Sequence, residues 1–85
     1  MYQVSISKEA LKELRQLPKQ SVIVIHKSID NLSQEPRPVG CKKLKGTKES
    51  LWRIRVGNYR IIYSVDDIIR IVEVRDIGHR KNIYE

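Results

Sequence analysis

The sequence predicts an α+β domain: a small antiparallel sheet, built from an N-terminal strand and a three-stranded C-terminal meander, with an N-terminal helical hairpin packed on one face. Three observations predict it. Apolar residues recur at helical spacing between Leu11 and Leu32, and their period shortens to two from Leu51 onward. A Gly57-Asn58 dipeptide separates the first two alternating runs, as in a tight hairpin.

Tyr2 to Ile6 alternates as a short strand, and Ser7 is placed to cap the helix behind it. Leu11, Leu14 and Leu17 form the apolar stripe of that helix, opposite Lys8, Glu9, Lys12, Glu13 and Arg15. Pro18 ends the pattern and suits the entry into a second helix, whose stripe is Val22, Ile25, Ile29 and Leu32. His26 lies beside this stripe and reads as a boundary residue, not a ligand. Ser33 to Gly46 carries Pro36, Pro38, Gly40 and Gly46 among lysines and reads as a long loop anchored by Leu44. Three strands follow, at Leu51–Val56, Tyr59–Val65 and about Ile68–Arg75, with a turn at Asp66-Asp67. The tail from Asp76 is read as too short to form an element of consequence.

The chain has 85 residues, enough for one domain spanning 1–85. It contains no Phe, one Trp and four Tyr, so Ile, Val and Leu must build the core. No apolar run approaches the roughly 18 residues of a membrane span, and the N-terminus has no secretory pattern. A single cysteine, Cys41, forms no internal disulfide and offers no metal-ligand spacing. The expectation is a cytoplasmic protein with no membrane partner. There is no P-loop, no Cys/His metal set and no carboxylate cluster suited to magnesium, so neither metal nor cofactor is expected.

The net charge of +7 favours an anionic partner. Its distribution is uneven: Lys42, Lys43, Lys45, Lys48, Arg53, Arg55 and Arg60 share one stretch with a single acid, Glu49. The Gly57-Asn58 turn pairs Val56 with Tyr59, Arg55 with Arg60, Ile54 with Ile61, Arg53 with Ile62 and Trp52 with Tyr63. Side chains alternate across a sheet and paired residues share a face. One face therefore holds Trp52, Ile54, Val56, Tyr59, Ile61 and Tyr63, suited to lie beneath the helices. The other holds Arg53, Arg55 and Arg60.

Arg55 directly across from Arg60 is a like-charge pair, destabilising by a few tenths to about 1 kcal/mol. If the next turn is equally tight, Glu73 stands opposite Arg60 and is a possible charge partner or base. Guanidinium groups present paired donors that match phosphate oxygens. The tail adds His79, Arg80 and Tyr84 within six residues. Together these residues form a candidate phosphate-handling site. RNA cleavage is compatible with it without a metal, because RNA carries its own nucleophile in the 2′-OH.

The segments KKLKG (Lys42–Gly46), LWRIRVGNYRIIY (Leu51–Tyr63) and IGHRKNIY (Ile77–Tyr84), with ALKELRQLP (Ala10–Pro18), resemble the RelE branch of the RelE/ParE toxins. The likeness runs through nearly the whole chain in the same order. It implies a type II toxin that cuts messenger RNA in the ribosomal A site through the RNA 2′-OH. It also implies neutralisation by a cognate antitoxin, with promoter DNA reached indirectly through that complex. By position, Arg53, Arg55, Arg60, Arg80 and Tyr84 fall where that branch places its active-site residues. The resemblance gives Arg60 the transition-state phosphate, Arg80 the leaving group and Tyr84 the substrate base. Lys42, Lys43, Lys45 and Lys48 would hold substrate.

RelE has lysines where Arg53 and Arg55 stand here, and an arginine stays protonated in proteins and is a poor base. His79 or Glu73 is the alternative proton acceptor. Arg80 and Tyr84 are also closer together than in RelE. The rival reading is a ParE-like toxin that inhibits DNA gyrase without chemistry of its own, since one fold serves both. A third is a basic module that binds RNA or an acidic protein and does nothing more.

Overall fold

The computed structural model describes residues 1–46 and 48–79. Arg80 and Tyr84 lie outside the described residues. The elements are β1 (Gln3–Ile6), α1 (Lys8–Arg15), α2 (Lys19–Asn31), β2 (Lys42–Lys43), β3 (Leu51–Val56), β4 (Tyr59–Asp66) and β5 (Ile71–His79). They form one α+β arrangement: two helices and a five-stranded sheet in the order β1-β5-β4-β3-β2. The sheet is mixed, not wholly antiparallel, because β1 runs parallel to β5. That alignment sets Val4 beside Val72 and Ile6 beside Val74, so both side chains of the short strand pack against the core.

Ser7 begins α1 as a cap. Its Oγ accepts from the Ala10 N–H at 3.1 Å, and its hydroxyl donates to the Arg75 carbonyl at 2.9 Å. One side chain thus ties the helix start to β5 and sets the helix phase. The buried line is then Ala10 and Leu14, with Leu17 half-buried beside them. Leu11, expected in that stripe, is instead 36% exposed. A small residue at Ala10 lets α1 approach β5 closely, which a leucine there would prevent. In α2 the expected stripe is found: Ile25, Ile29 and Leu32 are buried and Val22 packs at their margin. His26 is on the solvent side, 3.2 Å from Asp30 one turn on.

The core joins these helix residues to Ile54, Val56, Ile61, Tyr63, Val72, Val74 and Ile77 on one sheet face. The β3–β4 register is the one the Gly57-Asn58 turn dictates, from Val56↔Tyr59 to Trp52↔Tyr63. Gly57 takes φ +59° and Asn58 stays outside the left-handed region, which makes the turn type II′.

The second hairpin departs from expectation. Asp66 Oδ1 accepts from the N–H groups of Ile68 and Ile69 at 3.0 and 3.1 Å, which stabilises a longer turn closed by Asp66↔Ile71. Arg70 ends that turn at φ +56°. β5 therefore starts at Ile71 and continues to His79, through residues read as a tail. A bulge on β5, with Arg75 as the extra residue between the pairs Ile62↔Asp76 and Tyr63↔Val74, shifts the register again. The stretch read as one long loop also contributes a strand, Lys42–Lys43, on the outer edge. Leu44, the expected anchor, is half-buried and outside the core cluster, where Cys41 packs instead.

Candidate functional site

The register places Arg53, Arg55 and Arg60 together on the face away from the helices. Arg55 faces Arg60 directly, Arg53 faces Ile62, and Lys42 of β2 faces Arg53. Burial separates them: Arg53 and Arg60 are 4% and 8% exposed, whereas Arg55 is open to solvent. Guanidinium groups are rarely so withdrawn from water unless the surroundings order them. Ordered, partly desolvated cations act more strongly on an incoming phosphate than solvated ones do.

β5 adds a different set from the one expected. Gly78, not Glu73, stands opposite Arg60, because the longer turn and the bulge displace the strand by five residues. Gly78 contributes no side chain to that row. Glu73 instead faces Ser64 and pairs with the Nε of Arg75 at 2.5 Å. Arg75 also donates twice to Glu49, at 2.6 and 2.8 Å, and holds the β2–β3 connection against the sheet. Arg75 and Glu49 thereby depress the carboxylate's pKa and raise the guanidinium's. Glu73 is thus a structural ion-pair partner for Arg75, two ladder steps along the face from Arg60.

His79 pairs with Tyr59 and meets its ring edge-on, with centroids 5.7 Å apart. By alternation it shares the Tyr59 side, not the arginine side. Among the lysines, Lys42 joins the arginine row while Lys43, opposite Trp52, falls on the other side. Lys45 and Lys48 are exposed in the connection between β2 and β3. Sequence reasoning missed Asp76, an exposed acid opposite Ile62 and one ladder step from Arg60. Its signal was the broken alternation Val72, Val74, Ile77, which leaves Arg75 and Asp76 adjacent at the bulge. Among the described residues no group of three His, Cys, Asp or Glu could hold a metal ion.

The segment beside the site is fastened by a polar latch. Arg37 donates twice to Asp67, at 2.8 and 3.1 Å, and the Tyr2 hydroxyl donates to the same carboxylate at 2.6 Å. The Arg37 guanidinium also lies 5.1 Å from the centre of the Trp52 ring. The Tyr63 hydroxyl donates to the Pro36 carbonyl at 2.8 Å, and burial, followed by the neighbouring Cys41, pushes its pKa up. Arg37, and after it Tyr2, hold the Asp67 carboxyl down to about 2 from its ordinary 3.8.

A depressed carboxylate stabilises the fold above its unfolded pKa and loses that contribution as pH falls through the folded value. The latch should therefore be intact above about pH 4 and lost between about pH 4 and 2. Melting curves of the wild type and Asp67→Asn should differ by a constant amount above that window and converge below it. Parallel curves throughout would show that the latch does not contribute.

Two helices on one face of a mixed five-stranded sheet, with three arginines on the opposite face, define a small α+β module. Comparison with known proteins identifies it further. The family model for the ParE toxin of the type II toxin–antitoxin system parDE matches residues 4–84. Toxin RelG of Mycobacterium tuberculosis is 32% identical over 84 residues, covering 98% of this chain and 95% of its own. Toxin RelE3 of Methanocaldococcus jannaschii is 35% identical over 88 residues, covering 96% and 94%. The toxin in the archaeal RelE–RelB complex from Pyrococcus horikoshii superposes with a TM-score of 0.84 at 34% identity, covering 96% of this chain and 98% of that one. In the intact RelBE complex of E. coli the values are 0.79 and 27%, covering 93% and 96%. The chain belongs to the ParE/RelE toxin family and is a type II toxin of a RelBE-type toxin–antitoxin system.

Proposed function

We propose that this toxin is a metal-independent endoribonuclease that cuts messenger RNA in the ribosomal A site. The observation that carries the reading is the arginine face, where Arg53 and Arg60 are nearly buried beside the exposed Arg55. In the reaction the RNA 2′-oxygen attacks the adjacent phosphorus and the bond to the 5′-oxygen breaks. The products are a 2′,3′-cyclic phosphate and a 5′-hydroxyl; the 2′-OH proton is lost and a proton reaches the 5′-oxygen. Paired guanidinium donors aimed at the phosphate stabilise the extra negative charge at phosphorus. Arg60, with Gly78 opposite, is assigned that role, and Arg80 and Tyr84 are assigned the leaving group and the base.

Arginine does not take the 2′-OH proton. The ribosome therefore contributes by alignment, which can replace much of the help a strong base would give. The chain pairs with a cognate antitoxin, as the Pyrococcus and E. coli relatives do with RelB. It reaches promoter DNA only through that complex.

Inducing the chain without its antitoxin and mapping messenger 5′ ends tests the reading. New in-frame cuts within translated regions, reproduced with purified ribosomes in chelator, are the expected result. The matched family model carries the ParE name, which keeps gyrase inhibition as a specific second reading. Intact messengers together with lost supercoiling would decide for it.

A further inference from the structure

Cleavage through the RNA 2′-OH needs a group that accepts its proton. Arginine and lysine side chains in their charged forms donate and do not accept, which removes Arg53, Arg55, Arg60 and Lys42. His79 lies on the Tyr59 side of the sheet. Among the described residues, the strand carboxylates on the arginine face are Asp66, Glu73 and Asp76, in the rows of Ile71, Ser64 and Ile62. Asp66 accepts from the backbone N–H groups of its own turn. Glu73 is held by Arg75 and stands two ladder steps from Arg60. Glu49 is drawn over the same face by two bonds from Arg75. Asp76 is exposed and stands one ladder step from Arg60.

The bulge at Arg75 is what puts Asp76 there. Val72 and Val74 belong to the core, so unbroken alternation would send Asp76 inward after them and Ile77 outward. With Arg75 as the extra residue, Ile77 is buried and Asp76 emerges on the arginine face. The bulge is fastened at both its backbone and its side chain. The Ser7 hydroxyl donates to the Arg75 carbonyl at 2.9 Å, and the Arg75 guanidinium binds Glu73 and Glu49. Asp76 and Arg60 are then diagonal neighbours across the β4–β5 ladder, about 7–8 Å apart at the backbone. An attacking oxygen and its target atom are about 3–3.5 Å apart when aligned. A guanidinium on the phosphate and a carboxylate on the 2′-OH suit that spacing.

We propose that Asp76 is the general base of the cleavage. The assignment rests on the ribonuclease reading and supplies the proton acceptor that reading lacks. The Asp76 carboxylate takes the 2′-OH proton as the 2′-oxygen bonds to phosphorus and the bond to the 5′-oxygen breaks. The 5′-oxygen takes up a proton from water, and Asp76 then returns its own to solvent, so no net proton is consumed. Arg60 on β4 and Arg53 across Ile62 on β3 are the cations nearest to Asp76 along the ladder. Their field lets a carboxylate work beside an anionic strand.

The test is single-turnover cutting of messenger in the A site of purified ribosomes, with melting temperature as the fold control. Asp76 is exposed, so its variants should melt like the wild type. Asp76→Asn should slow cutting about 10²-fold, near the lower end of what a positioned base contributes. Asp76→Glu should recover about tenfold of that loss, because it keeps the base on a longer stem. Added formate should restore part of the rate to Asp76→Ala, where chloride at the same ionic strength does not. Unchanged cutting by Asp76→Asn would overturn the assignment and leave the ribonuclease reading standing. Equal losses in all three variants, with no rescue by formate, would make Asp76 a counter-charge for the arginines and would also overturn it. A wild type that cuts no messenger on the ribosome would overturn the ribonuclease reading and the base assignment together.

Discussion

Replacing Arg60 with alanine is expected to lower messenger cleavage by about 10²- to 10³-fold, the usual cost of removing one donor aimed at a developing oxyanion. Three placements make Arg60 the residue to test first. It is 8% exposed, it faces a second arginine across the hairpin, and it stands opposite a glycine on the other neighbouring strand. Arg60→Lys should fall between wild type and alanine, because it keeps the charge and loses the paired fork. Mapping messenger 5′ ends after induction reads the effect, with melting temperature and antitoxin binding as fold controls. Full cleavage by Arg60→Ala would remove the arginine face from the mechanism.

The face that makes this prediction possible was legible in the sequence, and its partners were not. Gly57-Asn58 is a local signal: two residues with one fitting backbone conformation determine all six pairs of the first hairpin. The second hairpin depends on a side chain. The Asp66 carboxylate binds two backbone N–H groups and lengthens the turn, and the bulge at Arg75 shifts the register once more. Each change is small in the chain, yet together they exchange Glu73 for Gly78 beside Arg60. Period-two alternation cannot reveal such a shift unless the break at Arg75-Asp76 is read as a bulge.

The helices show the same division. The stripe of α2 was legible because Ile25, Ile29 and Leu32 admit only one phase. In α1, Ala10 and Leu11 competed for the buried position. The hydroxyl of Ser7, bonded both to Ala10 and to a carbonyl of β5, decided between them. The parallel seat of β1 was not legible at all. It is set by contact with a strand 68 residues later, Gln3 beside Ile71, and no local pattern encodes it.

Tyr63→Ala should be the most damaging single change to stability. Tyr63 is fully buried at the centre of the sheet, between Trp52 and Val74 in the ladder, and it is among the largest side chains with no solvent exposure. Truncating a buried aromatic costs about 3–5 kcal/mol. A chain of this length has about 4–13 kcal/mol in all, at roughly 0.05–0.15 kcal/mol per residue. Much of the fold's margin would go, and chemical denaturation at equilibrium should show it. Tyr63→Phe separates the ring from the hydroxyl. It keeps the packing and loses the bond to the Pro36 carbonyl, at about 1 kcal/mol. Because Pro36 begins the segment that leads into β2, the phenylalanine variant should also exchange its amides faster at 37–41 while the strands stay protected. A Tyr63→Ala protein as stable as the wild type would mean that the helices and the sheet do not share this core.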